Sequence, residues 1–179
     1  MSETIIANRY AVPFLQLAKE QGVLEDVNRD MELLREACES NPQLKAVLSN
    51  PSIRGYKKLA ILKSIFSQQV HSLTISLFDV IDRRNREEVL YSLSKEFGRL
   101  YKEHHNIQEV EVTSASPLTD ALRSELSAKL ANQLNKKIEL HEQVRPELIG
   151  GLVVKIGDRL IDNSISTALQ RLELSFEKN

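Results

Sequence analysis

Apolar residues recur at helical intervals through the first hundred positions and at alternate positions in several stretches after them. Ile6, Tyr10, Phe14 and Leu17 step by four, four and three, one stripe of a helix over residues 4–20. Pro13 falls inside that helix and predicts a bend, and Gly22 is placed to end it. Leu24, Val27, Met31, Leu34 and Cys38 predict a second helix. Asn41-Pro42 reads as a cap and a first-turn proline opening a short third helix through Leu48. After a break at Asn50-Pro51-Ser52, Leu59, Leu62, Ile65 and Phe66 predict a fourth. Residues 71–84 differ. Leu73, Ile75, Leu77, Phe78, Val80 and Ile81 spread around most of the circumference, as in a helix that is central or partnered on a second face. Arg83 and Arg84 suit the negative end of its dipole, and Asn85 tolerates the left-handed backbone that ends helices. Val89, Leu90, Leu93, Phe97, Leu100 and Tyr101 predict a sixth helix, ending near His104 and His105.

The period changes after Asn106. "EVEVTSA" alternates, with Val110 and Val112 on one face of a strand. Leu118, Leu122, Leu126, Leu130 and Leu134 then step by four along a helix, with Thr119 placed to cap it. Ile138 and Leu140 mark a second strand, Leu152, Val154 and Ile156 a third, and Leu160 and Ile161 a fourth. Ile165, Leu169, Leu172 and Phe176 predict a last helix, capped by Ser164 or Asp162. The expectation is an α+β chain: a six-helix bundle over residues 1–105 and a small α/β unit over 106–179.

Glycines between a strand and a helix often cradle phosphate, so Gly150, Gly151 and Gly157 raise the question of a nucleotide site. A P-loop needs Gly, four residues, then Gly-Lys and Ser or Thr. Here Gly157 follows Gly151 by six and is itself followed by Asp158-Arg159. The dinucleotide spacing is also missing. Gly157-Asp158 reads better as a two-residue hairpin turn, and Gly150-Gly151 as tight entry to a strand or a bulge.

Composition removes other classes. The 179 residues carry 24 basic and 25 acidic side chains, a formal net charge of -1. Neither half has the basic excess that nucleic acid requires. No run reaches the roughly 18 apolar residues of a membrane span, so membrane association is expected to go through other proteins. The N-terminus shows no signal or transit pattern, which favours a bacterial protein. Cys38 is the single cysteine, on an apolar helical face, and reads as a small core residue. His71, His104, His105 and His141 lack metal-ligand spacing, and His104-His105 read as solvated. Glu87-Glu88 and Glu109/Glu111 read as solvated carboxylates. Ser164 lacks a nucleophile elbow. No cofactor, metal or catalytic residue is expected. What remains is protein-binding surface. The over-apolar helix of residues 71–84 and the first helix, with its small Ala7, Ala11 and Ala18, are suited either to a groove for an amphipathic helix or, as composition alone favours, to plain core.

The stretch "IGGLVVKIGDRLIDNSISTALQRLE", Ile149 to Glu173, resembles the C-terminal signature of the delta subunit family of F-type ATP synthases, the oligomycin sensitivity-conferring proteins. "NRYAVPFLQLAKEQG", "NPSIRGYKKLAILKSIF" and "VTSASPLTDALRSEL" resemble other parts of that family in the same order. Arg145-Pro146 stands where many members have Asp-Pro, and Asn85-Arg86 where many have Gly-Arg. The resemblance implies a non-catalytic stator protein, peripheral on the cytoplasmic face of a bacterial inner membrane, in a proton-translocating enzyme. It implies that the bundle holds the N-terminal helix of an alpha subunit on the catalytic head. The C-terminal part would hold the C-terminal ends of the b subunits. Carried over by position, the alpha-binding groove would use Ala7, Tyr10 and Phe14 of the first helix and Leu77, Phe78 and Ile81 of the fifth. The competing reading is a helical adaptor unrelated to ATP synthase.

Overall fold

In a computed structural model of the protein, residues 3–176 are described, with side chains as far as Glu173. The chain divides into two compact units, Met1–Lys102 and Glu103–Asn179, three residues before the boundary expected at 105/106. The whole is α+β, with α-helices and one four-stranded mixed sheet.

The first unit is helical among its described residues: α1 (Glu3–Glu20), α2 (Leu24–Ser40), α3 (Pro42–Ser49), α4 (Gly55–Phe66), α5 (Ser72–Asp82) and α6 (Leu90–His104), which ends at the boundary. A 3-10 turn, Glu87–Val89, precedes α6. Local chemistry accounts for several of the ends. Asn41 accepts a hydrogen bond from the Gln43 N–H at the start of α3, where Pro42 occupies the first turn. Asn85 takes the left-handed backbone after α5, at φ 51°. His71 caps α5 through Nδ1, which accepts from the Leu73 N–H. Asp30 of α2 supports the same end, accepting from the His71 N–H at 2.8 Å and the Thr74 hydroxyl at 2.6 Å.

The core of this unit is aliphatic with a few rings. Phe14 meets Phe97 at 5.5 Å between centroids, and Phe66 meets Phe78 at 6.2 Å. On α1 the buried face is Ala7, Ala11, Phe14 and Ala18, which shares only Phe14 with the stripe of large residues read from the sequence. Three alanines let neighbouring elements approach closely. Ile6, Tyr10 and Leu17, about 100° around the helix, therefore lie beside the core and keep solvent exposure.

In the second unit, Asn106 takes a left-handed conformation after the end of α6 and is followed by β1 (Ile107–Ser114), α7 (Asp120–Leu134), β2 (Lys137–Val144), a 3-10 turn (Pro146–Leu148), β3 (Leu152–Ile156), β4 (Arg159–Asp162) and α8 (Ile165–Phe176). The sheet order is β2-β1-β3-β4. β1 and β2 run parallel with Ile107 opposite Lys137, joined by α7 as a crossover; β1–β3 and β3–β4 are antiparallel. Even-numbered residues of β1 face α7, so Val110 and Val112 are fully buried beneath Leu126 and Leu130. The core is thin: its buried apolar side chains among the described residues are Val110, Val112, Leu130 and Val154.

Candidate functional site

Gly157 has φ +57° and stands first in the two-residue turn between β3 and β4, the placement of a II′ hairpin. Gly151 has φ +78°, and a Cβ there would lie 2.1 Å from the Asn163 carbonyl oxygen. Backbone bonds from Asn163 N–H to Leu152 O and from Ile165 N–H to Gly150 O, both 3.0 Å, close this corner. The glycines let the start of α8 pack against the entry to β3. Nothing in the corner is arranged as a phosphate cradle. Ser164 is the N-cap of α8, accepting from the Thr167 N–H at 3.2 Å. Asp162 accepts from the Ser164 N–H and the Thr167 hydroxyl, at 2.9 and 2.8 Å. The first of these bonds holds its carboxyl below the usual carboxylate range.

Other candidate chemistry resolves into structure. Cys38 is buried, and that burial pushes its thiol pKa up, which keeps it protonated and inert. Glu87 departs from the expectation of a solvated pair. It is buried, with Lys58 Nζ at 3.4 Å, and Lys58 also donates to the Leu48 carbonyl at 2.7 Å. These partners are 29 residues apart, beyond any local signal. His105 is partly buried rather than solvated, with the His104 ring at 5.2 Å. His141 reaches Glu139 at 3.4 Å and Glu109 at 3.9 Å on the face of the sheet away from α7. This trio, brought together by the parallel register, is the one His/Asp/Glu/Cys group close enough to share an ion among the described residues. All three are partly or largely exposed, as expected of solvated side chains on an open sheet face.

The expected groove residues occupy two kinds of position. Ala7, Phe14, Leu77, Phe78 and Ile81 are buried in the unit's own core, and Tyr10 is partly exposed. The accessible apolar surface lies on the flanks beside them. On α1 it is Ile6, Tyr10, Pro13 and Leu17, spaced four, three and four along one side. On α5 the exposed positions on that side are Ser76 and Val80, with Val80 46% exposed, while Leu73 is buried in the core. Leu77 is only 6% exposed, so an acidic substitution there tests folding rather than binding.

The second unit exposes more. Ile161, Ile165, Leu169 and Leu172 are each about half exposed, a stripe along the end of β4 and the outer side of α8. A second apolar surface is a cleft of about 470 Å³ between Pro117, Leu118, Leu122, Leu126, Ile149 and Leu152. Leu122, expected to lie in the buried stripe of α7, is exposed on its wall because a spacing of four drifts off a helix face. Ile149 was given no role by the sequence. It is 64% exposed and has φ 64°, ψ -40°, a strained conformation for a β-branched residue. A thin core beside this much exposed aliphatic surface is the mark of a partner-binding module.

Comparison with known proteins agrees. The sequence model of the family described as ATP synthase delta (OSCP) subunit matches residues 6–176. An "ATP synthase subunit delta" of Cytophaga hutchinsonii is 39% identical over 176 residues, covering 98% of this chain and 96% of the relative. One of Symbiobacterium thermophilum is 38% identical over 172 residues, covering 96% and 92%. In the solved Toxoplasma gondii mitochondrial ATP synthase hexamer, one chain matches with a TM-score of 0.71, 23% identity and coverage of 95% and 96%, a likeness of fold. The protein belongs to the ATP synthase delta (OSCP) subunit family, non-catalytic stator proteins of the F-type enzyme.

Proposed function

We propose that the chain ties the catalytic head of a proton-translocating ATP synthase to its membrane sector, each end held by a different unit. Residues 1–105, as a six-helix bundle, hold the N-terminal helix of an alpha subunit. Residues 106–179 hold the C-terminal ends of the b subunits. The protein then sits peripherally on the cytoplasmic face of a bacterial inner membrane, carried there by its partners. No helix among the described residues is long and apolar enough to cross a membrane.

The observation that carries the alpha-binding half is the apolar flank of α1 together with exposed Val80 on α5. In this reading the alpha helix lies between Ile6, Tyr10, Pro13 and Leu17 of α1 and Ser76 and Val80 of α5. Ala7, Phe14, Leu77, Phe78 and Ile81 form the floor beneath. The small side chain of Ala7 in the floor leaves room for a helix to approach closely. The exposed stripe of α8 supports b binding by the same physics.

The test is a calorimetric titration of the full chain with a peptide copying the N-terminal helix of the same organism's alpha subunit. Leu17→Asp and Val80→Asp should each weaken binding by about tenfold or more, roughly 1.4 kcal/mol, with the melting temperature held. Leu77→Asp should unfold the bundle, since it puts a charge in the core. Unchanged affinity in both flank variants would place the alpha helix elsewhere.

A further inference from the structure

One charged surface is only partly explained by the fold. At Gly55, the first residue of α4, a Cβ would lie 2.6 Å from Asp82 Oδ1 and 2.8 Å from Glu87 Oε1. That close approach joins three places: the start of α4, the end of α5 and the 3-10 turn. The outer surface of this junction is mainly basic. Arg54 and Lys57 flank Gly55, with Tyr56 between them 58% exposed. Arg83 and Arg84 follow Asp82, and Arg86 precedes Glu87; all three are exposed. Residues 54–58 and 82–88 hold six cations against three carboxylates, in a chain whose net charge is -1.

The fold explains only part of this. Lys58 is consumed by Leu48 and Glu87 inside the unit, and Arg86 reaches Glu88 at 3.5 Å. Arg83 and Arg84 are stabilised by the carbonyl end of α5. Arg54 and Lys57 are not. They stand at the N-terminus of α4, the positive end of its dipole, where cations are disfavoured and an acidic residue would serve better. No salt bridge joins Arg54, Lys57, Arg83 or Arg84 to a carboxylate among the described residues. The patch is continuous with the proposed groove. Arg83 and Arg84 directly follow the end of α5, three and four positions after exposed Val80, so the patch adjoins the α5 side of the proposed groove.

We infer that this patch binds a carboxylate-bearing stretch adjoining the helix of the alpha subunit, giving the groove a cationic end that fixes the direction in which that helix lies. The inference rests on the proposed alpha site. Arginine forks suit paired carboxylates, and exposed Tyr56 offers a ring against which an aliphatic or guanidinium plane can pack. Contacts of this kind at the edge of a groove act mainly on encounter rate and orientation, and they weaken with salt.

The experiment uses the full chain and a peptide from the alpha subunit that includes the residues flanking its N-terminal helix, at about 50 mM and about 500 mM salt. Three variants are compared: Arg54→Glu/Lys57→Glu, Arg83→Glu/Arg84→Glu and Val80→Asp. Wild type should lose about tenfold in affinity at the higher salt. Both charge-reversal variants should bind about tenfold more weakly at low salt and lose most of the salt dependence. Arg54→Glu/Lys57→Glu should melt no lower than wild type, because glutamate suits that helix end; weaker binding without lost stability separates a binding role from a structural one. If Val80→Asp weakens binding and the reversals do not, the groove stands and the patch inference fails. If no variant changes the affinity, or wild type does not bind, both fail. If anionic lipid vesicles, and not the peptide, respond to the reversals, the patch faces a membrane and the inference is overturned.

Discussion

At the residue scale, the buried exceptions to hydrophobic patterning are structural. Lys58 and Glu87 enter the interior as a pair, with a backbone carbonyl taking a further donor. Beside them Asp82 is in a different position. Burial, and then the neighbouring Glu87 carboxyl, raise its pKa above the ordinary aspartate range. A carboxyl raised in the folded state contributes stability that is fully present below its unfolded value, near 4. That contribution is lost as pH rises through the folded value. At neutral pH the ionised side chain therefore opposes folding. Asp82→Asn should raise the melting temperature at pH 7 and lose that advantage as pH falls to about 4, as followed by thermal melts across that range. An equal shift at both pH values would mean that ionisation of Asp82 is not the cause. This triad was illegible in the sequence, because Lys58 lies 29 residues from Glu87 and Glu87-Glu88 look like any solvated pair. Caps were legible. Asn41, Asn85 and Thr119 act on backbone groups within three residues, so neighbouring letters suffice.

At the scale of elements, spacing identified helices and strands well and faces less well. The two stripes that misled did so for physical reasons. On α1, large apolar residues outweighed the small ones, yet Ala7, Ala11 and Ala18 took the core with Phe14. The larger residues were left on a flank, where a partner can use them. On α7, leucines every fourth position wind off one face, so Leu130 is buried and Leu122 is exposed. The last helix shows the strongest mismatch between composition and burial. Its outer stripe includes Leu169 and Leu172, half exposed on a helix whose N-terminus is well capped by Ser164 and Asp162. Phe176 closes the helix, and its side chain lies outside those described. Leu169→Asp with Leu172→Asp should leave the second unit folded and abolish capture of a peptide copying the C-terminal end of the b subunits, measured by co-sedimentation or calorimetry. Loss of the fold would return the stripe to the core. Full retention of binding would move the b site to the cleft around Ile149, whose strained backbone marks it as the next candidate.

At the scale of the molecule, the near-neutral charge, the lack of any assembled acid, base or nucleophile among the described residues, and two units that each leave aliphatic surface uncovered suit a tether. The stator role was legible largely through the Ile149–Glu173 stretch. The structure explains why those residues are restrictive: Gly151 must let a backbone carbonyl approach, Gly157 must turn, and Asp162 and Ser164 must cap. The residues that meet partners were less legible, because partner surface is what remains after the core has chosen its side chains. A tether whose ends are separate modules should divide cleanly. Residues 1–106 alone should keep binding the alpha peptide and lose the b peptide, and retained b binding by that half would undo the division. The most direct test is reconstitution. Membranes bearing the ATP synthase membrane sector, recombined with catalytic heads lacking this protein, should show no ATP-driven proton pumping until the full chain is added. Hydrolysis by the isolated heads should be the same with and without it. Pumping that is equally strong without the chain, or restored in full by either half alone, would contradict the role of this protein as the link between head and membrane sector.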